Sequence, residues 1–198
     1  VDISCICVTQ PGRERFLDDA VADFDAQSYP RHKRELVIVR DPKDGVTLGG
    51  LRNHAMGNAS GQYVCTWDDD DRYHPDRLIS QLSALLKHDA DMCMLQELEM
   101  QCSCSSQFIS HSRKTGWECS MMADRSKIEP YPLINEAEDH KMILGMVANG
   151  VRTVVMENAS DLYRKVYHGE NTIDRDGHRV IFRRAGHMCR DLARVAVA

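Results

Sequence analysis

Apolar positions fall along this chain in two alternating periods, one suited to buried strands and one to amphipathic helices. Ile3-Ser-Cys-Ile-Cys-Val-Thr9 is a near-continuous apolar run of strand length, the pattern of a central strand covered on both faces in a parallel sheet. Gln10-Pro-Gly-Arg13 breaks it. Phe16, Leu17, Ala20, Val21 and Phe24 then recur at helical spacing until Tyr29-Pro30. Glu35-Leu-Val-Ile-Val39 reads as a second buried strand, so the chain opens as βαβ, a unit that leaves a ligand crevice at the strands' carboxyl ends.

The alternation continues. Leu48, Leu51, Ala55 and Ala59 mark one face of a helix ended by Ser60-Gly61, and Tyr63 to Trp67 is β-branched and aromatic enough for a short buried strand. Pro75 with Leu78, Ile79, Leu82, Leu85 and Leu86 predicts a helix with proline in its first turn. Met92 to Leu98 and Phe108 to Arg113 read as strands, with a turn at Lys114-Thr-Gly116. A helix containing Ile143, Met146 and Val147 follows, and Asn135 and Glu138 have the spacing of its capping box. Asn149-Gly150 ends it, and Thr153 to Met156 is the last core strand expected. The fold class is therefore α/β.

Between the third strand and its helix stand Asp68-Asp-Asp-Asp71. Adjacent carboxylates repel one another, and a cluster beside a buried strand is most readily kept if a cation neutralises it; oxygen ligands suit Mg²⁺ or Mn²⁺. A solvated acidic turn is the plainer alternative.

Composition narrows the picture little. The 198 residues, 42% hydrophobic and 28% charged, suit one domain, and a net charge of −5 gives no reason to expect a nucleic-acid partner. No apolar run approaches the roughly 20 residues that span a bilayer. Eight cysteines without a C-x-x-C pair, with Cys5/Cys7 and Cys102/Cys104 one residue apart in strands, suggest buried thiols in a reducing cytosol rather than zinc or disulfides. The segment 173–198, with Arg183, Arg184, Arg190 and Arg194, reads as a basic tail compatible with peripheral association at the inner face of a membrane. The start at Val1-Asp2, without methionine, suggests a piece of a longer product.

Several stretches together carry a family resemblance: the first strand ending at Thr9, Leu48-Gly-Gly-Leu-Arg-Asn53, Gly61-Gln-Tyr-Val64, the aspartate run followed by Pro75-Asp-Arg-Leu78, and Glu138-Asp139 before an apolar helix. In these the chain resembles the inverting glycosyltransferases of family 2. The resemblance implies a GT-A fold, a Rossmann-like, mostly parallel mixed sheet flanked by helices. Residues 1–91 would form a nucleotide-binding half and residues 92–172 an acceptor and catalytic half of a single domain.

It also implies transfer of a sugar from a nucleoside-diphosphate sugar to the hydroxyl of a glycan, lipid-linked or small-molecule acceptor, with inversion, in surface polysaccharide or glycoconjugate synthesis. The family's D-x-D motif falls on Asp68, Asp69 and Asp70. Asp70 corresponds to the ligand of Mn²⁺ or Mg²⁺, Asp68 lies nearer the ribose, and Asp71 lies behind them. Thr9, Gln10, Arg52 and Asp69 join Asp68 on the donor side. The catalytic base falls on Asp139. Trp117, Glu118 and Glu138 correspond to the sugar and acceptor wall, and Tyr167-His168 to a segment in which some relatives place a histidine near the metal. Each has an ordinary structural alternative: helix capping for Asp139, a satisfied histidine for His168, a core aromatic for Trp117.

Two departures from the pattern stand out. Val8-Thr9-Gln10-Pro11 replaces the family's Pro-Thr-Tyr-Asn, which leaves the base of the nucleotide open. Only Arg40 to Thr47 separate the second strand from the next helix. Eight residues reach at most about 29 Å and cannot also form the short helix and strand that relatives carry there. Either that unit is lost, or a stretch near Val39 to Asp44 is omitted from the numbered sequence, the expectation favoured here, which makes Asp41 an unsafe choice for a nucleoside-binding aspartate. The rival functions are a sugar-phosphate nucleotidyltransferase, against which the Gln10-Pro-Gly-Arg13 loop lacks a glycine-rich, basic phosphate cradle, and a non-catalytic carbohydrate-binding domain.

Overall fold

The computed structural model describes residues 1–41, 45–102, 108–168 and 171. Its main sheet is built from β1 (Ile3–Thr9), β2 (Arg34–Arg40), β3 (Tyr63–Thr66), β5 (Met92–Leu95), β8 (Met122–Asp124) and β9 (Thr153–Met156) in the order β2-β1-β3-β8-β5-β9. Every pairing is parallel except those of β8, which runs antiparallel to both its neighbours. A second sheet holds β4 (Arg72–Tyr73), β6 (Glu97–Cys102), β7 (Phe108–Ser112) and β10 (Tyr163–Tyr167) in the order β4-β10-β6-β7. This is the mixed, mostly parallel α/β architecture expected.

The alternation of side chains along β1 decides what covers each face. Ile3, Cys5 and Cys7 share one buried cluster with Cys65, Trp67 and residues of α1 (Glu14–Asp25) and α3 (Arg77–Lys87). Ile6 points the other way, into a cluster with Leu51 and Ala55 of α2 (Leu48–Asn58) and Met142 and Met146 of α4 (Glu138–Ala148). Cys5, Cys7, Cys65, Cys93 and Cys119 are buried thiols. Arg77 is fully buried beneath the aspartate run, boxed by the rings of Trp67, Tyr73 and Tyr163 at 4.7–5.3 Å, and donates to the Thr66 carbonyl. The aspartates therefore leave the carboxyl end of β3 over a rigid aromatic and guanidinium platform.

Five expectations change. Met92 to Leu98 is not one strand: it breaks at Gln96, whose N–H donates to Met156 and whose carbonyl accepts from Arg113, so β5 stays in the main sheet while β6 enters the second. β2 and β9 are edges rather than core strands, and Ile38 is 38% exposed because no described strand pairs beyond β2. Pro75 precedes α3 instead of lying in its first turn. The three-residue β8 carries no period that patterning could detect, yet it joins the N-terminal strands to β5. The capping box does not form: Ala137, at φ 56°, precedes α4 without a side-chain cap, and the Asn135 Oδ1 accepts from Leu48 N–H instead. Of the suspected gap near Val39 to Asp44, residues 42–44 lie outside the described residues, as does the basic tail 173–198.

The first turn of α2 lies directly on the segment before α4. Gly49 N–H donates to the Ile134 carbonyl at 3.0 Å, and a Cβ at Gly49 would fall 1.9 Å from the Pro132 carbonyl oxygen. Neither partner is the end of a flexible side chain. Gly49→Ala should therefore destabilise the fold by about 1–3 kcal/mol, the usual cost of overpacking. Urea denaturation checks this, with Gly57→Ala, whose Cβ meets nothing within 4 Å, as the control that should change little.

Candidate functional site

The carboxyl ends of β1 and β3, the start of α2, the Trp117–Ser120 turn and the start of α4 surround one cavity of about 840 Å³. That volume lies in the range of small-molecule and cofactor sites. Thr9, Gln10, Arg52, Asp68, Asp69, Asp70, Trp117, Glu118, Glu138 and Asp139 all border it. His168 stands behind this lining, in contact with Asp70.

Each aspartate of the run meets a different partner. Asp68 accepts from Arg52 Nη2 at 3.1 Å. Asp69 takes two N–H bonds from Arg13, at 3.0 and 2.8 Å, and the Thr9 hydroxyl at 2.6 Å. Asp70 accepts from Arg13 at 2.5 Å and from Asn171 at 3.2 Å, and lies 3.0 Å from His168 Nε2. Asp71 is fully buried under Tyr163, Val166 and Lys165. The chain's own Arg13, Arg52 and Lys165 thus offset much of the run's charge, with Arg52 shared with Glu138, and leave it net negative.

This geometry changes the picture of Asp69 and Thr9. Both Asp69 oxygens are engaged by Arg13, and the Thr9 hydroxyl is spent on Asp69, so together they brace the loop after β1 against the loop after β3. Burial alone would raise the Asp70 carboxyl. The His168 hydrogen bond, the Lys165 charge and Arg13 outweigh it and hold the group well below the ordinary carboxylate range. Asp70 is therefore an anion across the physiological range.

The opposite wall is built by α4 and the turn after β7. Asp139 is half-buried in the first turn of α4, where its Oδ1 accepts from the His140 N–H at 2.7 Å. Glu138 is largely buried at the cavity's edge, where its Oε1 accepts from Arg52 Nε at 2.9 Å. Burial and the neighbouring Asp139 raise the Glu138 carboxyl, and Arg52 opposes them. Arg52 thereby ties the aspartate run to α4. Glu118 accepts from Arg113 at 2.6 Å and lies 2.8 Å from His140 Nδ1, and the Arg113 guanidinium sits 5.0 Å from the Trp117 ring centre. Trp117 is buried, with one part reaching the cavity, so the core and the site share it.

Arg13, Lys165, Asn171, Arg113 and His140 also border the cavity and were not anticipated from sequence. Arg13 was visible only as part of a loop that looked poor in positive charge. Lys165 shares one face of β10 with the buried Tyr163 and Tyr167, a pattern that becomes informative once β10 is recognised as a strand. Asp41 borders the cavity as well, with its N–H donated to the Thr9 carbonyl at 2.7 Å.

Among the described residues, no group of three or more His, Cys, Asp or Glu converges as a cation cage. Asp70 and His168 nonetheless supply an ionised oxygen and an imidazole nitrogen side by side. A divalent cation that keeps most of its shell for phosphate oxygens and water needs no more from the protein, so the two residues fit that mode of binding.

Comparison with known proteins bears on the family and the fold. The sequence profile of Glycosyl transferase family 2 matches residues 16–114. S. aureus TarS 1-349 in complex with UDP-GlcNAc superposes with a TM-score of 0.70 at 15% identity, over 93% of this chain and 65% of that one. The same protein in complex with UDP gives 0.68 at 16% identity, over 91% and 63%. The chain thus spans about three fifths of the length of TarS 1-349, and 39% of the longer TarS structure. No curated protein sequence matches significantly.

Removing the Arg13 charge leaves Asp69 buried without its ionic partner. Arg13→Met should cost about 3–5 kcal/mol, the range for breaking a buried pair from one side. Arg31→Met, in a pair exposed on both sides, should cost no more than about 1 kcal/mol. Denaturant titrations of the two variants test this, and equal small losses would show that Arg13 does not brace the loops.

Proposed function

The chain belongs to glycosyl transferase family 2, and on that premise we propose that it moves a sugar from a nucleoside-diphosphate sugar to an acceptor hydroxyl with inversion at the anomeric carbon. The observation that carries this reading is the single cavity with an ionised Asp70 on one wall and a half-buried, solvent-reachable Asp139 on the other. Inverting displacement needs charge stabilisation on the leaving-group side and a proton acceptor on the opposite side. The donor class is the one named in the TarS complexes, whereas base, sugar and acceptor are not assigned. Surface polysaccharide or glycoconjugate synthesis is the setting we propose, and no described helix is long and apolar enough to cross a membrane.

In this reading Asp70 and His168 hold Mn²⁺ or Mg²⁺, which when bound offsets the charge developing on the diphosphate as it leaves. Arg52 keeps Asp68 and Glu138 at fixed separation, so that the donor wall and α4 face each other across the sugar. Thr9 and Gln10 line the nucleoside side, the Thr9 side chain acting through Asp69. Trp117 offers an apolar edge to the sugar, and Glu118 is held by Arg113 and His140 as a fixed acceptor of hydroxyl hydrogen bonds. Asp139 takes the proton of the attacking hydroxyl, and its Oδ1 bond to the His140 N–H orients the carboxylate.

Two substitutions separate these roles. Asp139→Asn should keep donor binding but lose at least roughly 10²-fold in turnover, the usual contribution of general-base catalysis. Near-normal turnover, or a product with retained anomeric configuration, would sink the assignment. Asp70→Ala should abolish the Mn²⁺-dependent part of nucleoside-diphosphate affinity, read by calorimetry with and without Mn²⁺. Pyrophosphate release from a nucleoside triphosphate and a sugar phosphate would instead identify a nucleotidyltransferase.

A further inference from the structure

We infer that Lys165 is a second, metal-independent handle for the donor's diphosphate, an inference that rests on the reading of the cavity as a nucleoside-diphosphate sugar site. Lys165 lies on β10 at the Asp70 end of the cavity, with its side chain 16% exposed. Its Nζ stands 3.3 Å from Asp71 Oδ2, the longest of three contacts to that carboxylate. The Tyr163 hydroxyl at 2.5 Å and the Val166 N–H at 2.8 Å already satisfy the Asp71 oxygens. Asp71 thus benefits from the lysine charge while using only one of its donors.

An ammonium group has three N–H donors. Asp71 is the one acceptor that Lys165 Nζ meets among the described residues, so donors remain for a ligand at the cavity wall. The other cations of this wall are committed further: Arg13 spends two N–H groups on Asp69 and one contact on Asp70, and Arg52 is divided between Asp68 and Glu138. The charge on Lys165 is secure: burial opposes it, but Asp71, Asp68 and Asp70 keep the ammonium protonated well above neutral pH. Ionised phosphate oxygens are acceptors, which makes a diphosphate the complement of a fixed ammonium with unspent donors in a partly dehydrated wall. Asn171 Nδ2, bonded to Asp70 and to the Val166 carbonyl, fixes the same corner.

The test is binding in a chelator. The four ribonucleoside diphosphates and the matching monophosphates are titrated by calorimetry into the wild-type chain in excess EDTA, then with Mn²⁺. In EDTA the wild type should bind its preferred diphosphate at least roughly tenfold more tightly than the monophosphate, the worth of one charge-assisted hydrogen bond. Lys165→Met should erase that preference, and Lys165→Arg should keep most of it. Where Lys165→Met fails to fold, Lys165→Met/Asp71→Asn, which removes both charges of the buried pair, carries the same comparison with folding checked by circular dichroism. Equal affinity for diphosphate and monophosphate by the wild type in EDTA overturns the inference, as does an undiminished preference in Lys165→Met or in Lys165→Met/Asp71→Asn, while Mn²⁺-dependent diphosphate binding would leave the reading of the site standing. No binding of any nucleotide even with Mn²⁺ would overturn both.

Discussion

The buried ion pair between Arg13 and the aspartate run is the constraint on which the site depends. Four consecutive carboxylates at the end of a buried strand would repel one another and pull that strand end toward solvent. Arg13 enters from the loop after β1 and engages Asp69 with two parallel N–H groups while touching Asp70. Its planar fork matches a carboxylate in a way that lysine could not. Lys165 and Arg52 add further compensation from the second sheet and from α2. Charge compensation therefore comes from three separate parts of the chain, which joins the loops that line the cavity.

Arg52 extends this network across the cavity. It bonds Asp68 on one wall and Glu138 on the other, so the separation of the two walls follows from the span of one guanidinium group. The close approach of Gly49 to Pro132 and the Asn135 bond to Leu48 set the same distance by backbone contact. Asp139 inherits its place from this junction: it follows a residue locked to Arg52, and its carboxylate borders the cavity while its Oδ1 accepts the first-turn N–H of His140.

The break at Gln96 is the second decisive feature. It directs β6 out of the main sheet to pair with β10, and so brings Lys165 and His168 beside Asp70 from nearly a hundred residues away. The chain then returns through Trp117 to β8, which inserts antiparallel between β3 and β5. Trp117 can serve both the core and the cavity because it sits at that return, with its N–H bonded to the Leu95 carbonyl at the end of β5.

Much of this was legible in the sequence, for physical reasons. The βαβ opening, the four main helices and the strand that ends at the aspartates follow from apolar periodicity, which burial enforces residue by residue. The position of Asp68 to Asp71 beyond a buried strand followed from local order alone, and so did the four buried thiols of β1, β3 and β5. What local order could not determine was pairing. Whether Glu138 caps its helix or binds Arg52, whether Asp69 faces a ligand or Arg13, and whether Met92 to Leu98 stays in one sheet depend on partners tens of residues away. The three-residue β8 is too short to show a period, and the exposure of β2 depends on what lies beside it. A charged side chain announces its chemistry in sequence, but only tertiary structure decides which opposite charge it meets, and that choice separates the residues that brace this cavity from those that face it.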